Sequence, residues 1–162
     1  MGEVKGLWVA VRLRGTSRIP PDVEKALEVL RLKRRFQAAV LKMDESVKGA
    51  LRKVKDWVTW GEINRETLTS LLRERGVVKG GKRLDEAFIK TAFNKNGFED
   101  LSQAMLTGEV TLTKLRKNGV DTVFRLHPPR KGFKGSVKRP FNVGGELGYR
   151  GEHINNLLKR ML

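Results

Sequence analysis

Gly6-Leu7-Trp8-Val9-Ala10-Val11-Arg12-Leu13 is the stretch on which the fold turns, and Arg14-Gly15-Thr16-Ser17-Arg18-Ile19-Pro20-Pro21 follows it directly. Leu7 to Val11 are continuously apolar and rich in β-formers, the pattern of a central strand. Arg14 to Arg18 make a basic, turn-forming loop, and the prolines suit the first turn of a helix. From Asp22 onward, Val23, Ala26, Leu27, Val29, Leu30 and Leu32 give that helix one apolar face. Arg31, Lys33, Arg34 and Arg35 crowd its end, where cations favour the negative pole of the helix. A second strand is expected over residues 36–42, closed by Lys42. Asp44 is suited to cap a second helix with Val47, Ala50, Leu51 and Val54 on its face. A third strand over 57–63 completes a strand-helix-strand-helix-strand order. Two helices on one face of three strands make a two-layer α+β core.

Past residue 63 the texture becomes helical. Residues 66–75, 84–93, 98–106 and 113–117 read as short helices, with Gly76 as a C-terminal capping glycine after the first. Residues 120–126 look extended, and 152–162 form an amphipathic terminal helix. Three parts follow: a core over 1–63, a mostly helical extension over 64–124, and a basic segment with its terminal helix over 125–162.

That last part carries Arg125, His127, Arg130, Lys131, Lys134, Lys138 and Arg139, with no acidic residue before Glu146 and with glycines and prolines throughout. Residues 125–150 are read as too poor in apolar surface to order themselves, so an anionic partner is expected to give them shape. Phe133 and Phe141, set among the charges, are candidates for base stacking or wedging, with local packing the simpler role. Trp8, Trp57 and Trp60 read as core.

Composition points the same way. Lys and Arg number 34 against 18 Asp and Glu, a formal charge of +16, which favours a polyanionic partner and above all nucleic acid. The lack of cysteine removes disulfides, thiolate metal sites and cysteine nucleophiles. Neither a membrane span nor a signal-peptide pattern is found, so a soluble, intracellular protein is expected.

Chemistry-bearing motifs are few. Gly76 with Gly81-Lys82 has phosphate-loop spacing, but Arg83 stands where Ser or Thr would bind magnesium, and a plain loop is favoured. His127 and His153 are too few and too far apart for a metal site. Asp44-Glu45, Asp85-Glu86 and Glu99-Asp100 are sequence neighbours that point apart on a helix. No catalytic residue, metal, cofactor or small-molecule substrate is therefore expected.

Residues 14–20 after the first strand, Leu27-Glu28-Val29-Leu30-Arg31-Leu32 in the first helix, Arg125-Leu126-His127-Pro128-Pro129-Arg130 and Gly144-Gly145-Glu146-Leu147-Gly148 together resemble the universal ribosomal protein L-thirty family, in its archaeal form. The eukaryotic counterpart is called L-seven. The resemblance implies a three-stranded, mainly antiparallel sheet with the first strand central, somewhat like a ferredoxin fold. It implies a structural constituent of the large ribosomal subunit that binds and stabilises folded ribosomal RNA in the cytoplasm. Neighbouring ribosomal proteins are further expected partners, as is proximity to 5S ribosomal RNA. The RNA-binding residues it marks are Arg14, Thr16, Ser17 and Arg18; Arg31, Lys33, Arg34 and Arg35; and Arg125, His127, Arg130, Lys131, Lys134, Lys138 and Arg139. Charge and position add Lys42. Phe36 departs from the family, which often has a small polar residue there. Two other readings stay open: a free-standing RNA or DNA-binding module, and an RNA-processing enzyme using Asp85, Glu86 or His127.

Overall fold

A computed structural model describes residues 7–15 and 17–162. Gly6 and Thr16, named above, lie outside the described residues. Strand β1, Trp8–Arg12, lies between β2, Gln37–Leu41, and β3, Val58–Glu62, antiparallel to both. Helices α1, Pro21–Val29, and α2, Glu45–Lys53, connect them. The second starts as its sequence directs, with Asp44 accepting the Val47 N–H at 2.8 Å.

The sheet, however, has six strands where three were expected. Its order is β4-β2-β1-β3-β6-β5, with β4 at Val123–Arg125, β5 at Ser136–Pro140 and β6 at Gly145–Tyr149. β4 joins β2 antiparallel, whereas β6 lies parallel to both β3 and β5, so the sheet is mixed. Part of the glycine-rich segment is thus folded by the chain itself, contrary to the expectation that a partner must shape it. Buried Leu147, Glu146 and Arg150 are the reason.

Nor is the architecture two-layered. Ala10, Ala39, Leu41 and Val58 pack under α1 and α2. On the opposite face Val9, Val11, Ala38 and Val40 pack against α3, Arg65–Arg75, α5, Phe98–Thr107, and α7, Ile154–Met161. A strand as continuously apolar as Leu7 to Val11 demands cover on both faces. Each fully buried leucine or isoleucine in these layers is worth about 1.5–3 kcal/mol. Two shorter helices, α4 at Glu86–Phe93 and α6 at Leu112–Lys117, complete the extension.

Two local expectations also change. α1 ends before its cations: Leu30 is its cap and Arg31 turns into the left-handed region at φ 64°. Gly76 has φ −65°, so it is not a left-handed cap. A Cβ there would lie 2.3 Å from the Leu72 carbonyl oxygen; close approach, rather than handedness, requires glycine.

Candidate nucleic-acid interface

Strand register decides which basic segments meet. β1 ends at Arg12 beside the start of β3 at Val58, and Val11 lies opposite Ala38 near the start of β2. β4 ends at Arg125, opposite Gln37. The loop after β1, the loop before β2 and the chain after β4 therefore all leave one end of the sheet. Lys42 follows Leu41, which pairs with Trp8, so it emerges at the other end, away from the remaining loop cations.

Arg12 ties this end together. Its side chain lies on the same strand face as Trp8 and Ala10, buried beside α1. Its Nε donates to the Arg14 carbonyl at 2.9 Å, and its two terminal nitrogens donate to Leu32 at 3.0 Å and Gly15 at 3.2 Å. Three carbonyls from two loops are thus held by one rigid fork. Burial lowers the Arg12 pKa, with Glu24 opposing that shift, yet a guanidinium stays charged in any protein. Arg35 adds a second tie, donating from Nε to the Leu13 carbonyl at 3.1 Å. Gln37 accepts the N–H groups of Lys33 and Arg34 at 2.8 and 3.0 Å, fixing the turn between them.

The two loop clusters consequently form one rim. Ser17, Arg18, Arg31, Lys33, Arg34, Arg35 and Arg125 are exposed on it and Arg14 is half-buried. Arg14 donates to the Asp56 carbonyl and sits 5.5 Å from the Trp57 ring centre. Among the described residues, none of these cations has a carboxylate within salt-bridge distance. Arg116 on α6 donates from Nε to the Thr122 hydroxyl at 3.2 Å. Burial lowers its pKa first, then the charge of Arg31, against Asp121, so the two guanidiniums feel one another. Sequence reading missed Arg116 and Arg12. An arginine continuing the inward alternation of Trp8 and Ala10 was the available signal for the latter.

The basic segment continues from the rim. The Leu126 N–H donates to the Phe36 carbonyl at 3.1 Å, and the N–H groups of His127 and Arg130 donate to Met161 and Arg160 carbonyls at the end of α7. Arg130 also uses its side chain there, on the Lys159 carbonyl at 3.0 Å, and His127 is half-buried. Both thus have partners inside the chain. Lys131 and Lys134 are exposed, and Lys138 and Arg139 project from the edge strand β5.

Beneath β5, Glu146 accepts the Gly135 N–H at 2.7 Å with one oxygen and pairs with Arg150 at 3.0 Å through the other. Arg150 donates to Thr59 at 2.7 Å, fastening the segment to β3. Burial lowers the Arg150 pKa, against the raising influence of Glu146. Phe141 is part of this packing, 4.8 Å from the Arg150 guanidinium and 5.4 Å from the His153 ring. The phosphate-loop match is a plain hairpin, Val77 bridging to Arg83, whose guanidinium donates to the Arg73 carbonyl. Asp85 caps α4 by accepting the Phe88 N–H at 2.8 Å.

Fold and rim together define a class: a small protein of mixed sheet and helices that displays a fixed, unneutralised cationic surface. Residues 9–58 match the model of the family described as ribosomal protein L30p/L7e. Over 161 residues the chain is 49% identical to large ribosomal subunit protein uL30 of Staphylothermus marinus, covering 96% of this chain and 98% of that protein. It is 49% identical over 160 residues to the same protein of Desulfurococcus amylolyticus, with 96% and 98% covered. For Thermofilum pendens the identity is 50% over 157 residues, with 96% and 99% covered. The chain belongs to the L30p/L7e family of ribosomal proteins.

Proposed function

We propose that this protein is a structural, non-catalytic constituent of the cytoplasmic large ribosomal subunit, where it binds and stabilises folded ribosomal RNA. The observation that carries this reading is the single rim that Arg12 builds from two loops, carrying cations with no carboxylate partners among the described residues. Arg14, Thr16, Ser17, Arg18, Arg31, Lys33, Arg34, Arg35 and Arg125 make its first contact surface. Lys131, Lys134, Lys138 and Arg139 extend it, and His127 and Arg130 act by holding the segment on α7. Lys42 meets a separate RNA element at the far end of the sheet. The ferredoxin-like comparison, the division into core (1–63), extension (64–124) and basic segment (125–162), and proximity to 5S ribosomal RNA belong to the same proposal. Neighbouring ribosomal proteins are further partners in the same reading.

Backbone shape rather than base sequence dominates such recognition. With ~8 phosphates engaged, log affinity falls with log salt at a slope of roughly −6 to −7. Neutralising Lys131, Lys134, Lys138 and Arg139 together flattens that slope, by about 0.7–0.9 for each phosphate released from a cation, and leaves the core folded. The companion experiment is cosedimentation with large subunits through a moderate salt wash. Recovery only in the free pool refutes the ribosomal assignment in favour of a free-standing nucleic-acid-binding module, and an unchanged salt slope in the variant refutes the basic segment as a contact surface.

A further inference from the structure

We propose that Arg35, Phe36 and Phe133 form a docking platform for one unstacked nucleobase, a site that rests on the RNA-binding reading above. Phe36 has φ 66°, a region that a bulky L-residue enters only when its surroundings compel it. The compulsion is in the backbone: its N–H donates to the Arg12 carbonyl at 2.7 Å and its carbonyl accepts the Leu126 N–H at 3.1 Å. Glycine or asparagine would make this turn at lower cost. What phenylalanine adds is a ring, and strain of this kind gathers at functional positions.

The ring is half-buried rather than sealed. The Arg35 guanidinium sits 4.6 Å from its centre, and the Phe133 ring lies 6.3 Å away, tilted by 30°. Arg35 is itself held by its bond to the Leu13 carbonyl, so its plane is oriented in advance. One cationic plane and two aromatic rings, from the rim loop and the basic segment, are thus assembled side by side. Exposed Lys33, Arg34, Arg125 and Lys134 belong to the same two segments. Phosphates attracted by those cations bring bases with them, and a base accepts a guanidinium plane or an aromatic ring as a stacking surface. Phe141 differs in that the guanidinium packed against it, Arg150, is buried, whereas Arg35 is exposed. The occupant is a base from a single-stranded loop or bulge, because paired bases are already stacked on each other. Base identity is not read, since every base has a π-face.

The test uses the full chain bound to large-subunit ribosomal RNA. Short-wave ultraviolet irradiation, digestion and mass spectrometry map nucleotide adducts, while Phe133→Leu and Phe36→Asn are titrated with the same RNA across a salt series. Adducts are expected on Phe36 or Phe133. Phe133→Leu should bind about tenfold more weakly at every salt concentration, with an unchanged slope because every cation still meets its phosphate. Phe36→Asn relieves the backbone, so it should stay folded by thermal melting yet show the same loss. Adducts only elsewhere, wild-type affinity in both variants, or a flattened slope overturns the platform while leaving RNA binding intact. Failure of the wild-type chain to bind the RNA instead overturns the reading beneath it.

Discussion

Replacing Arg12 with methionine removes the fork that joins the two rim loops while keeping an unbranched side chain of comparable reach. Its guanidinium, on a residue only 2% exposed, donates to the carbonyls of Arg14, Leu32 and Gly15. Water can replace it at Gly15, which is exposed, and at half-buried Arg14. Leu32 is fully buried, and its stranded carbonyl costs about 1–3 kcal/mol. Methionine returns part of that loss, because a buried charge no longer has to be desolvated. The net destabilisation should be about 1 kcal/mol, lowering Tm by about 2–4 °C in a chain of this size. RNA affinity should fall roughly tenfold, the cost of reordering about a residue of loop backbone on binding. The salt slope should hold, since Arg12 itself meets no phosphate. Circular-dichroism melts and RNA titrations at several salt concentrations measure both effects, and Arg12→Lys, which keeps charge without the fork, should retain most of the deficit. A methionine variant that melts with the wild type and binds RNA as tightly would refute the idea that Arg12 organises the rim.

Tyr149, the sole tyrosine, donates its hydroxyl to Glu62, and its pKa is pushed up to about 12, chiefly by that bond and next by burial. The folded value lies above the unfolded value of about 10, so the bond's contribution to stability is whole below pH ~10 and is lost as pH rises toward ~12. A phenolate absorbance titration should have its midpoint near 12, moving toward 10 in Glu62→Gln; a wild-type midpoint near 10 rules the bond out. Glu146→Met leaves Arg150 buried without its partner and should cost about 3–5 kcal/mol. Chemical denaturation should reveal the loss, with faster amide exchange at Gly135; an unshifted midpoint would mean the pair does not hold the basic segment down.

What could be read from sequence was what is encoded locally. The apolar run Leu7 to Val11, the prolines at the start of α1 and the Asp44 cap each act within a few residues, and each produced its element. β6 could not be read this way. It contains Gly145, Gly148 and a buried Glu146, and its partner β3 lies far back in the chain. A buried ion pair looks in sequence like two solvated charges, so nothing marked Glu146 and Arg150 as the pair that anchors the segment. The same limit applies to the site. Each basic cluster was visible, but their meeting required the strand register, which joined Arg14, Arg35 and Arg125 at one end and sent Lys42 to the other.

The carboxylates explain how so much positive charge stays uncompensated. Asp44 and Asp85 cap helices, and Glu45, Glu66, Glu86, Glu99 and Asp100 lie in first turns, where the helix dipole favours negative charge. The ion pair of Lys159 with Glu66 is well exposed, as is that of Lys48 with Glu45, and such pairs contribute little. Neutral carbonyls, bound by Arg12 and Arg35, hold the rim's shape against its own repulsion. Stability and RNA affinity should therefore respond to salt in opposite directions. Raising monovalent salt from ~0.01 to ~0.15 M shortens the Debye length from about 30 to about 8 Å. Over that interval the free protein's Tm should rise as rim repulsion is screened, while RNA affinity falls steeply through counterion competition. The Lys131, Lys134, Lys138 and Arg139 neutralised variant should show a smaller rise. If the wild-type Tm instead falls with salt, surface ion pairs outweigh the repulsion and the rim is not the strained, unneutralised surface described above.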